Sequence, residues 1–174
     1  MRQLCKSTTL TYHWQYNNRL HPDGSCNLTS GSMGLSFFGI LKAPDILLQY
    51  ADDNGLDRHA LDVIAQVLRH FGIGDSASYT DTFAEIKAHL DKGLPVICQG
   101  NFTNSGHVIM VIGYDTDKGT FICMDPAGDH KLGYGIGERD GDHVEYPSSW
   151  FRQAEAPDDP NHEKGCWAHL LQAK

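Results

Sequence analysis

The strongest constraint in this chain is a change of hydrophobic period near residue 93. Ahead of it, apolar residues recur at helical spacing; after it, they come in short continuous runs. The first half predicts helices from Cys26 to about Ile40, from about Pro44 to Asp53, and from about Asp57 to Phe71. In the third of these Leu61, Ile64, Ala65 and Leu68 share one face and Gly72 is the stop. A fourth runs from Thr80 to about Lys92, with Phe83, Ile86 and Leu90 at helical spacing and Gly93 closing it. The second half reads as strands at Pro95–Gly100, His107–Tyr114 and Thr120–Met124, with Asp115–Gly119 as a hairpin loop. Two more are expected at His143–Tyr146 and Trp167–Leu171. Helices followed by sequence-adjacent strands mean an α+β fold, its N-terminal helices packed on a mainly antiparallel sheet. Gly31 and Gly34 weaken the first helix, yet small residues there let it press close to that sheet.

Length and charge narrow the function. A chain of 174 residues, with no repeat or low-complexity linker, is expected to form one domain over 1–174. A net charge of −8 and a pI near 5.6 supply no basic field for phosphates, so nucleic acid is not an expected partner. No stretch is long enough to cross a bilayer, and residues 1–10 lack the apolar core of a secretory signal. Synthesis in the cytoplasm is therefore expected, with later release one route to an extracellular wall. The five cysteines are odd in number, irregularly spaced and without a CxxC pair, which suggests reduced thiols rather than disulfides or a zinc ribbon. Cys98 and Cys123 lie inside apolar strand runs, where a thiol is a small buried hydrophobe.

Cys26 is different. It stands where a polar loop containing Pro22 and Gly24 ends and the first helix begins. The first turn of a helix has unpaired N–H groups and positive partial charge, which favour a thiolate over a thiol. His107 opens one apolar strand and Asp125 ends the next, so a hairpin between them brings imidazole and carboxylate together. Nucleophile, base and orienting group thus occur in that order. The backbone N–H of Cys26 is an expected donor to a developing oxyanion. Each residue also has an inert reading: a semi-buried cysteine, a surface histidine, an Asp-Pro turn. Their co-occurrence favours catalysis.

The same segments resemble the papain-like clan and, within it, the C39-like peptidases. The resemblance is carried by Gln15-Tyr16-Asn17-Asn18 ahead of Gly24-Ser25-Cys26-Asn27, by Leu94–Ile97, by Gly106-His107-Val108 with Ile112–Tyr114, and by Met124-Asp125-Pro126. It implies a papain-like cysteine peptidase fold, with Cys26 as nucleophile, His107 as base and acid, Asp125 as orienter and Gln15 as a side-chain oxyanion donor. Gln15 stands eleven positions before Cys26, a longer loop than the papain-type spacing, and His21 or Asn27 could share or replace its role. The activity implied is thiol-dependent hydrolysis of a peptide or amide bond, on a peptide or on peptidoglycan stem peptides as in bacterial and phage lysins. The rivals are an acyl transferase of the phytochelatin-synthase type and a peptide-binding module with a silent site.

Ten histidines raise the question of a metal. His130, Asp140, Asp142 and His143 cluster in a Gly-rich loop, and His162 and Cys166 lie four apart, but neither set has a recognised ligand spacing. No metal and no cofactor are expected. Gly133-Tyr134-Gly135-Ile136-Gly137 has the glycines of a phosphate loop without the strand before it or the helix after it, so no nucleotide is expected either.

Overall fold

The computed structural model describes residues 1–174. In chain order the elements are β1 (Arg2–Leu4), α1 (Cys26–Phe37), α2 (Pro44–Asp53), α3 (Val63–Phe71), β2 (Ile73–Thr82), α4 (Phe83–Asp91), β3 (Val96–Gly100), β4 (His107–Asp115), β5 (Thr120–Met124), β6 (Val144–Pro147), α5 (Ser148–Glu155) and β7 (Lys164–Ala173). All seven strands join one sheet, six in the order β2-β7-β3-β4-β5-β6 and β1 beside β4, and every pairing is antiparallel. Along β4, β3 covers His107–Val111 and β1 takes over at Gly113–Asp115, so β1 prolongs the line of β3.

Helices cover both faces. A Cβ on Gly34 of α1 would come within 2.7 Å of Leu171 and 3.6 Å of Ile97, so α1 presses on the face to which Ile97 points. Gly31 meets Leu47 of α2 and Leu68 of α3, which wrap the outer side of α1. Cys98, next along β3, points the other way and lies beside Glu155 of α5. Phe83 of α4 packs with Phe121 and Phe151, which puts α4 and α5 together on that second face. Helix α1 is therefore a central helix, buried from Leu28 to Ser36. Its serine hydroxyls are satisfied: Ser30 Oγ donates to Val108 O of β4, Ser32 Oγ to Lys42 O and Ser36 Oγ to Met33 O within the helix.

The α+β architecture and antiparallel sheet agree with the sequence reading, while several element limits differ. Helix α1 stops at Phe37, where the amides of Phe38, Gly39 and Ile40 all turn back onto Leu35 and Ser36 carbonyls. Residues 57–62 form turns, held by Asp57 accepting from the His59 amide, so α3 begins at Val63. The expected helix from Thr80 is strand up to Thr82, and α4 begins at Phe83 behind a capping box between Thr82 and Glu85. Strand β1, most of β2 and helix α5 lie outside the expected elements. Strand β2 is a polar edge strand, half exposed along most of its length, and it owes its structure to pairing with β7.

Candidate active site

The loop before α1 is fastened at several points. Asp45 of α2 accepts from the amides of Arg19 and Leu20. Asn18 Nδ2 donates to Ser25 Oγ at 2.8 Å and to Thr29 Oγ1 at 2.9 Å, fixing the entry to the helix. Cys26 follows as the first residue of α1, half-buried, on the wall of a cleft of about 880 Å³. His107, first residue of β4, lies on the same wall and is buried. Its Nε2 is 2.7 Å from Asp125 Oδ1, so Nε2–H donates to the carboxylate and Nδ1 remains for the thiol. The three predicted residues Cys26, His107 and Asp125 thus form one line, although 99 positions separate the first from the last.

Electrostatics follow from that line. Burial pushes the Cys26 thiol up, but the hydrogen bond and positive charge of His107, with the N–H groups of Val108 and Asn27, outweigh it and lower its pKa below the ordinary cysteine value. Burial pushes His107 down, and the charge and hydrogen bond of Asp125, joined by Cys26, override this and raise it to about 10. The other thiols go the opposite way: burial pushes Cys5 up to about 12, and it raises Cys98, Cys123 and Cys166 as well. The arrangement can hold a thiolate beside an imidazolium at neutral pH.

Asp125 is fully buried and saturated with donors. Oδ1 also accepts from the Ala127 amide at 3.0 Å, and Oδ2 accepts from Tyr146 Oη at 2.8 Å and Tyr134 Oη at 3.1 Å. Its backbone is clamped by Tyr12 Oη on the carbonyl and by the Gly141 carbonyl on the amide. Sequence reasoning missed both tyrosines that hold the carboxylate. Tyr134 belongs to the glycine-rich segment set aside above, and the signal was its flanks: Gly133 and Gly135 take φ of +96° and +79°, a backbone path that lays the Tyr134 ring against His107 with centroids 5.2 Å apart. Burial and then the Asp125 charge raise the pKa of both phenols, so they remain neutral donors.

Gln15 is buried, tied to the Pro22–Gly24 turn that leads to Cys26, and does not line the cleft. Its amide N–H donates to Pro126 O, its Nε2 donates to Pro22 O at 2.9 Å, and its buried Oε1 has no partner. Of the alternatives, His21 pairs with Asp52 at 2.9 Å, and Asn27 donates to Arg58 O while accepting from the Leu28 amide.

The histidine clusters are otherwise engaged. His130 stacks on Trp150 with centroids 4.6 Å apart, His143 pairs with Asp142, and His162 bonds the Ala156 carbonyl. No three His, Cys, Asp or Glu side chains converge as a metal site would require, and no helix is long and apolar enough to cross a membrane.

Two solved structures share the fold at 16% identity, too low to show more than the fold. One, described as a C39-like peptidase from Bacillus anthracis, has a TM-score of 0.70 with all of both chains covered. The other, a double-glycine-motif protease from an AMS/PCAT transporter in complex with the leader peptide, has a TM-score of 0.60 and covers 100% of this chain and 99% of its own. No curated protein matches the chain by sequence. The Peptidase_C39 like family does match, over residues 8–150, a span that takes in Cys26, His107 and Asp125; the chain belongs to that family.

Proposed function

We propose that this protein is a cysteine peptidase that cleaves a peptide bond through a thioester on Cys26. The carrying observation is the buried His107–Asp125 pair beside the one thiol whose pKa is lowered. The Cys26 thiolate attacks the carbonyl carbon, forming an S–C bond and an oxyanion. The Cys26 backbone N–H, at the first position of α1, is the proposed donor to that oxygen. Collapse breaks the C–N bond while His107 Nδ1 gives its proton to the departing amine. Water then attacks the thioester, Nδ1 takes its proton, and the S–C bond breaks to restore the thiolate.

The substrate class we favour is peptidoglycan stem peptide, with free peptides as the comparison. The polar cleft, lined by Asn27, Gln99, Asn101, Asn104 and Ser105, suits a hydrogen-bonding peptide chain, and a fold relative was crystallised with a peptide. Purified sacculi and soluble peptides incubated with wild-type and Cys26→Ala protein test both levels. New amine termini from sacculi with the wild type alone are expected. Release from peptides only would remove the wall reading, and equal release by Cys26→Ala would remove the mechanism. Added hydroxylamine checks the fate of the thioester, since a transferase would favour the hydroxamate over the acid.

A further inference from the structure

Glu155, the last residue of α5, is buried and lines the same cleft as Cys26 and His107. Neither carboxyl oxygen has a hydrogen-bond partner. The Trp167 amide and the Cys98 thiol come near enough to affect it without bonding geometry. A buried carboxyl with no partner is costly, and native proteins keep few of them. Its position is close to the chemistry: Oε2 lies 3.0 Å from where a Cβ on Gly100 would stand, and Gly100 is the ladder partner of His107. The surrounding wall is acidic. Asp158 and Asp159 follow Glu155 on the cleft, Asp159 kept ionised by the amides of Glu163 and Lys164, while Lys164 is the nearby base. Arg58 is turned toward Asp52, and the remaining basic side chains of the cleft are His59 and His107, the latter paired with Asp125.

We infer that Glu155 is the specificity-determining acid of a subsite for a cationic residue of the substrate, one bearing a primary amine or a guanidinium, next to the cleaved bond. The inference rests on Cys26 being the attacking thiol. Burial favours the protonated form of Glu155, with Asp81, Cys98 and Cys166 facing it and Arg152 on its own helix. A substrate ammonium supplies the missing counter-charge: Glu155 releases one proton to solvent and its carboxylate accepts hydrogen bonds from the amine. The neutral isostere, norleucine, leaves the acid unpaired.

Matched peptidyl vinyl sulfones, with Lys or norleucine at each of the two residues nearest the electrophile, test this through their rates of alkylating Cys26. Each rate is divided by that protein's rate with iodoacetamide, which is too small to fill the subsite. Wild-type protein should favour Lys at one position by roughly ten- to a hundred-fold, and Glu155→Gln should reduce that ratio to near one. Equal wild-type rates at both positions, or a preference that persists in Glu155→Gln, would overturn the subsite. Reaction at a cysteine other than Cys26 would instead overturn the mechanism beneath it. Far-UV circular dichroism of Glu155→Gln establishes that the variant is folded, and the wild-type comparison stands without it.

Discussion

Burial alone raises a thiol, and it does so at Cys5, Cys98, Cys123 and Cys166. Cys26 escapes because His107 and two backbone N–H groups reach its sulfur. Limiting iodoacetamide at mildly acidic pH should therefore modify Cys26 first, and peptide mapping showing equal labelling of the five cysteines would contradict this. The pH dependence of kcat/KM has its sign fixed by the same pair. Activity needs the thiolate, which is lost as pH falls through the lowered Cys26 pKa, and the imidazolium, which is lost as pH rises through about 10 at His107. A plateau across neutral pH with an alkaline fall near that value is expected; an alkaline fall near the ordinary histidine value would mean that Asp125 does not support the ring. Tyr134 acts one step further out as a positioning residue. Tyr134→Phe removes a hydrogen bond to a charged group and should lower kcat by about ten-fold with KM nearly unchanged, while Tyr134→Ala, which also uncovers the imidazole, should cost more.

At the scale of elements, α1 is where function and packing meet, since its first residue is Cys26 and its buried length fixes where that residue sits. Gly34 sets the distance: any side chain there meets Leu171 of β7. Gly34→Val should destabilise the fold by about 1–3 kcal/mol through overpacking and displace the start of the helix relative to His107. Thermal unfolding and the iodoacetamide rate of Cys26 would fall together; an unchanged melting temperature would show that α1 and the sheet have slack. The β4–β5 hairpin is the second such element. Its register brings Met110 opposite Met124, so the start of one strand and the residue just after the other lie side by side and His107 meets Asp125. The long loop from Pro126 to His143 then returns to deliver Tyr134 and leads into β6, which supplies Tyr146.

Across the whole molecule, Glu155 couples stability to pH. Burial raises its pKa well above the ordinary glutamate value, so the stability it permits is fully present below the unfolded pKa and is lost as pH rises toward the folded one. Glu155→Gln cannot ionise, so its melting temperature should gain on the wild type by a few degrees between pH 4 and pH 8; a constant difference across that range would mean that Glu155 is already ionised in the folded protein. The polarity of Cys26, His107 and Asp125 at element boundaries was legible in the sequence because helix starts and strand ends announce themselves through local composition. The α+β class was legible for the same reason, being written in the period of the apolar residues. Strand β2 was not, because its order comes from β7 some ninety residues away rather than from its own residues. Nor were Tyr134, Tyr146 and Glu155, whose roles depend on what lies beside them after folding and leave no periodic trace along the chain. Local pattern determined which residues could do chemistry; only the closing of the sheet and the descent of α1 upon it decided which of them touch, since those distances are set by packing between segments remote in sequence.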